Sequence, residues 1–168
     1  MDLNRHYLAL LESEHACTMR VIRAADDTAL LWRPHEKNRT FAVLAAHIYH
    51  AGHFFIRVIK DDQPLGRPEP QPPADLEALC AVCQSLHDAF LESWNQLDAA
   101  ETSREYSMDY MGSLSAAELL GMHLRHMIHH RAQLQMYLRL LGLVCPGVYG
   151  ASADESWEDV RKRELQDE

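Results

Sequence analysis

Positive charge is in short supply in this chain. Its 168 residues carry 16 Lys and Arg against 25 Asp and Glu, a formal net charge of -9. Nonspecific binding to a phosphate backbone needs a positive field, so the balance argues against a nucleic-acid partner. The densest basic run, Arg161, Lys162 and Arg163, is diluted by neighbouring acids. Cysteine is sparse too, with 4 in all. Cys80 and Cys83 have the spacing of a zinc or redox pair. A zinc ribbon needs a second such pair, however, and Cys17 and Cys145 are isolated. A thioredoxin-like motif needs a βαβ setting, which is missing, so the pair reads as small buried helix residues. Cys145, beside Pro146, has no neighbour that would activate its thiol. There is no Gly-rich phosphate loop and no Ser-centred nucleophile elbow. Met1 leads into an amphipathic pattern rather than an apolar leader, and no apolar stretch is expected to be long enough to span a bilayer. These absences point to a cytoplasmic protein without a membrane partner, its cysteines reduced. No internal repeat and no β-rich region is visible.

What the sequence does carry is helical periodicity. With 47% hydrophobic residues it has the composition of an ordinary globular chain, and residues 1–168 suit a single domain with one core. Leu3, Tyr7, Leu10, Leu11, Met19, Val21 and Ile22 space out an amphipathic helix over about 2–25. Pro34 breaks the pattern, and Thr40 is a plausible N-cap for a second helix over about 41–61. Six prolines and glycines between Asp61 and Ala74 predict a long Pro-rich connection. A third helical pattern runs from about 74 to 100. The stretch 104–110 reads as extended, ended by Gly112. Ser113 or Ser115 caps a fourth helix to about Leu141, and Ser115 with Glu118 matches a capping box. Gly142 suits its C-cap, with Pro146 as a stop. The charged tail from about 153 reads as a short peripheral helix. The fold class is therefore all-α, a four-helix bundle of up-and-down or crossover topology.

Histidine is the residue in excess, at 11. His126 and His130 are four apart, so on a helix their rings stack on one face. Gln133 falls within about 60° of them and His123 lies near the same arc, whereas His129 is displaced from it. On the second helix His47, His50 and His53 drift around the surface, and His47, between Leu44 and Ala51, is the best core-facing choice. Two imidazoles on one helix and a third from a facing helix fill three coordination positions and leave others open. Neutral imidazole suits zinc or nickel and keeps the ion Lewis acidic, able to lower the pKa of bound water or thiol. A carboxylate-bridged di-iron site would need two Glu-x-x-His runs, and only Glu12-Ser-Glu-His15 fits. Trp32, Trp94 and Trp157 read as packing rather than as a stacking platform.

Several runs together resemble the DinB-like family: Ala45-Ala46-His47-Ile48, His126-Met-Ile-His-His130-Arg131-Ala132-Gln133, and Leu138-Arg-Leu-Leu-Gly142 followed by Pro146. Arg33-Pro34 and Tyr149-Gly150 extend the likeness over most of the chain. Ala132 stands where the family usually has Gly. The resemblance implies a four-helix bundle with a divalent metal, zinc or nickel, held by His47, His126 and His130. It also implies an enzyme that activates a low-molecular-weight thiol for attack on a small-molecule electrophile, in the manner of thiol S-transferases. A metal-dependent hydrolase is the next reading, and a non-catalytic metal-binding or stress-response protein the third. Gln133 is then expected to orient the site from behind the ligands, and Arg131 to bind an anionic group of the substrate. Relatives further imply a homodimer through two helices, although nothing in the residues themselves requires it.

Overall fold

The computed structural model describes residues 3–61, 71, 73, 75–108 and 111–165. Four long helices dominate: α1 (Leu3–Arg23), α2 (Phe41–Asp61), α3 (Leu76–Asn95) and α5 (Ala116–Leu141). Two short ones, α4 (Ala99–Ser103) and α6 (Trp157–Glu164), lie at the periphery. Asp75 caps α3, and Ser115 and Glu118 form the expected capping box on α5. Such caps satisfy backbone N–H groups that have no partner within the helix. Gly142 ends α5 at φ 73°, in the left-handed region that favours glycine. The Pro-rich connection expected between Asp61 and Ala74 falls almost wholly outside the described residues.

The main helix contacts are α5 against α1 and α2, and α3 against α2 and α1. Around the bundle the order is thus α1, α5, α2, α3, and the consecutive helices α1 and α2 sit diagonally. That is a crossover arrangement. One core fills the centre, with Leu11, Ile22, Phe41, Ile48, Leu79, Phe90, Leu119 and Leu134 among its buried members.

Two features depart from the sequence reading. Two strands, β1 (Glu105–Met108) and β2 (Gly112–Ser115), pair antiparallel, so Gly112 begins a second strand rather than ending the extended stretch. The period-two alternation of β1 buries Tyr106 and Met108 against the bundle. In addition, Phe41–Lys60 is long and apolar enough to cross a bilayer by composition, but most of it is buried in the protein. Its apolarity is that of a core helix.

Candidate metal centre

The direction of the core along α5 determines how its histidines are used. Leu120, Met127, Arg131, Leu134 and Leu138 are buried and define that direction. His123 lies nearest to it, at 2% exposure. His126, His130 and Gln133 fall at the edge of the buried stripe and are partly exposed, while His129 is exposed. From the facing α2, His47 comes in between the small residues Ala45, Ala46 and Ala51, itself only 8% exposed.

The three rings converge. His126 Nε2 lies 3.0 Å from His47 Nε2, and one potential ligand atom from each of His47, His126 and His130 lies within 4.8 Å of the others. The centroids of His126 and His130 are 4.3 Å apart, and those of His47 and His130 5.0 Å. Two nitrogens held at about 2.0–2.1 Å from one zinc ion lie roughly 3 Å apart, so the His47–His126 approach fits a shared cation. Two lone pairs facing each other at that distance need either a proton or a cation between them. Gln133 Oε1 is 2.7 Å from His130 Nδ1. An amide oxygen only accepts, so Nδ1–H donates and Nε2 is left as the ligand atom. The arrangement can therefore hold a divalent cation from three neutral imidazoles, with its partly exposed side toward His126 and His130.

Arg131 is not where the sequence reading put it. It is 2% exposed and forms a salt bridge with Glu14 of α1, and its Nη2 donates to Tyr149 Oη. Tyr149 Oη in turn donates to the Glu14 carboxylate at 2.8–2.9 Å. A guanidinium committed to an internal carboxylate cannot anchor an anionic substrate; its role is to tie α5 to α1 directly behind His130. Sequence reasoning missed Glu14 as its partner. The available signal was that Glu14 shares the buried stripe of Leu11, Thr18 and Ile22.

The remaining interior histidines form packing rather than a second ligand set. His15 stacks on His87 with centroids 3.8 Å apart and planes at 5°. Its Nδ1 accepts from Tyr49 Oη at 3.0 Å and its Nε2–H donates to Gln84 Oε1 at 3.1 Å. His15 is thereby used within the core, while Glu12 is exposed, so the Glu12–His15 run is no ligand pair. His53 Nε2–H donates to the Leu86 carbonyl. Burial, with His87 and His53 nearby, lowers the pKa of His123 to about 3, and burial next to His15 lowers that of His87 to about 4. His123 Nδ1 has no hydrogen-bond partner among the described residues. All four cysteines are free; burial pushes the Cys83 and Cys80 thiols up, away from reactive thiolates.

A helical bundle with a histidine triad between two of its helices defines a class of candidate metalloproteins. The DinB family matches residues 1–165, and the chain belongs to that family. It is 24% identical to the Bacillus subtilis protein YrdA over 157 residues, which is 89% of this chain and 90% of YrdA. Among solved structures it is similar to a DinB-like protein of Bacillus cereus, with a TM-score of 0.69 at 21% identity, covering 85% of this chain and 95% of that one. The DinB-like protein YjoA of Bacillus subtilis gives a TM-score of 0.66 at 19% identity, covering 93% and 99%. TT2238, described as a four-helix bundle protein, gives 0.61 at 21%, covering 79% and 98%. At these identities the structural likeness establishes the bundle fold alone.

Proposed function

We propose that this protein is a metal-dependent enzyme that activates a thiol for attack on a small electrophile, an S-transferase-like activity. The observation that carries the reading is the convergence of His47, His126 and His130 at the edge of the core. A zinc or nickel ion held there by three neutral imidazoles would supply Lewis acidity, which favours the thiolate over the thiol. His47 anchors the site from the buried side, and Gln133 fixes the ring of His130 and directs its Nε2 inward. The partial exposure of His126 and His130 leaves the outer side accessible to a thiol and its electrophile. Arg131, locked to Glu14, holds the α5 backbone behind His130 and touches neither.

The packing favours this reading over a purely structural metal. Ala42, Ala45 and Ile48 of α2 and Leu119 and Met127 of α5 are already buried in one hydrophobic core, so the bundle has a core without an ion. The test is titration of the cobalt(II)-loaded protein with a low-molecular-weight thiol. A new charge-transfer band supports the thiol reading. A response to azide but not to thiol favours metal-dependent hydrolysis instead. A spectrum unmoved by both contradicts an open, catalytic site.

A further inference from the structure

Away from the triad, a crevice of about 590 Å³ opens between α1, the segment after α5 and α6. It is lined by Arg20, Arg23 and Arg163, against a single carboxylate, Glu155. This is a local excess of cations in a chain whose net charge is -9. Arg20 and Arg23 are three apart on one helix, where like charges repel. Neither forms an ion pair among the described residues, although Arg23 is hydrogen-bonded to Cys80 and Arg20 lies in the field of Glu155. The arginines are nonetheless positioned: Arg20 Nη1 donates to the Gly147 carbonyl at 3.1 Å, and Arg163 Nη1 pairs with Glu155 at 2.6 Å. Glu155 also accepts from the Gly147 N–H at 2.9 Å, fixing the loop that forms the floor. The rest of the wall is apolar and compact, made by Ala16, Ala24, Val144 and Pro146.

Guanidinium forks match the geometry of carboxylate and phosphate, and the volume lies within the range of roughly 300–1,000 Å³ usual for small-molecule sites. We infer that this crevice binds a small molecule bearing a phosphate or carboxylate on a compact apolar body. An oxyanion beside Gly147 meets Arg20 and Arg163, whose guanidinium groups both donate to the Gly147 carbonyl at 3.1 and 3.4 Å, and the apolar wall takes the body of the ligand. None of the lining residues belongs to the histidine site, so the inference is independent of the proposed reaction.

Calorimetric titration of the full chain with phenyl phosphate, benzoate and inorganic phosphate tests it. Saturable binding of phenyl phosphate or benzoate is expected, tighter than that of inorganic phosphate; the preferred of the two identifies the anionic group. Arg20→Gln is expected to weaken binding about tenfold or more, since a charge-assisted hydrogen bond is removed. Glu155→Gln keeps an acceptor for Gly147 but removes the competing charge, and is expected to tighten binding. Should Arg20→Gln fail to fold, Arg23→Gln at the exposed rim is expected to show the same direction. Binding is expected to persist in His126→Ala. Absence of saturable binding, unchanged affinity in the arginine variants, or loss of binding in His126→Ala would each overturn the inference.

Discussion

His47 and His126 are 79 residues apart in sequence, yet their Nε2 atoms face each other at 3.0 Å across the contact of α2 with α5. The pair is the hinge of the functional reading, because a third nitrogen, from His130, lies within 4.8 Å of both. Its surroundings can be tested one residue at a time.

Gln133 acts on the site through His130. Replacing it with Ala removes the acceptor that fixes the His130 tautomer, and loss of such an outer partner lowers metal affinity by about 10–100-fold. Competition with a chromogenic chelator measures this. The thermal midpoint of the metal-free protein is expected to stay put, because Gln133 is only partly buried. Unchanged affinity would show that His130 is oriented by packing alone.

Glu14 and Arg131 form a buried ion pair between α1 and α5. Glu14→Gln leaves the guanidinium buried without its counter-charge, and breaking such a pair costs about 3–5 kcal/mol. Arg131→Met strands the carboxylate in the same way. The double variant Glu14→Leu/Arg131→Met is expected to recover most of the loss, because two apolar side chains then meet. Urea denaturation distinguishes these cases. A single variant within about 1 kcal/mol of the parent would mean that water reaches the pair.

Gly52 of α2 faces α3 and α5 at close range. A Cβ there would lie 2.9 Å from His123 Nε2 and 2.9 Å from Phe90 Cδ2. Gly52→Ala gains about 1 kcal/mol in helix propensity but overpacks a buried contact, which costs about 1–3 kcal/mol. A net fall in the thermal midpoint is expected. A rise would show that the three helices have room to separate at this level.

Acid should destabilise the protein through its interior histidines. Burial holds the pKa of His123 down to about 3 and that of His87 down to about 4, against about 6.5 in the unfolded chain. Below pH 6.5 the unfolded state therefore takes up protons that the folded state refuses. Stability falls with pH from there to the folded values, by about 1.4 kcal/mol per pH unit for each such histidine. His123→Gln removes one of these groups. With chelator present in both proteins, its stability is expected to decline less steeply than the parent's between pH 6.5 and 4.5. Parallel curves would contradict a neutral, buried His123.

Most of the helical frame was legible in the residues because caps and periodicity are local. Thr40, Ser115 with Glu118, and Gly142 mark helix ends through contacts within a few residues. The strand pair β1–β2 is half visible: its first strand is extended in pattern, but its pairing with Gly112–Ser115 depends on burying Tyr106 and Met108 against helices distant in sequence. The His126–His130 face follows from the turn of one helix. The distinction between His123 and its neighbours does not, because it rests on how α2 packs against α5 and on Phe90 of α3 reaching His123 across the core. Arg131 shows the same limit from the other side. Its place after His130 suggested a substrate contact, whereas the fold supplies Glu14, 117 residues away, as its partner.

The most direct test of the histidine triad is the metal content of the purified protein beside His47→Ala and His126→Ala, with circular dichroism confirming that all three are folded. The wild type is expected to carry a stoichiometric divalent ion, zinc or nickel, and each variant to lose it. Equal metal in all three would contradict the triad as the binding site.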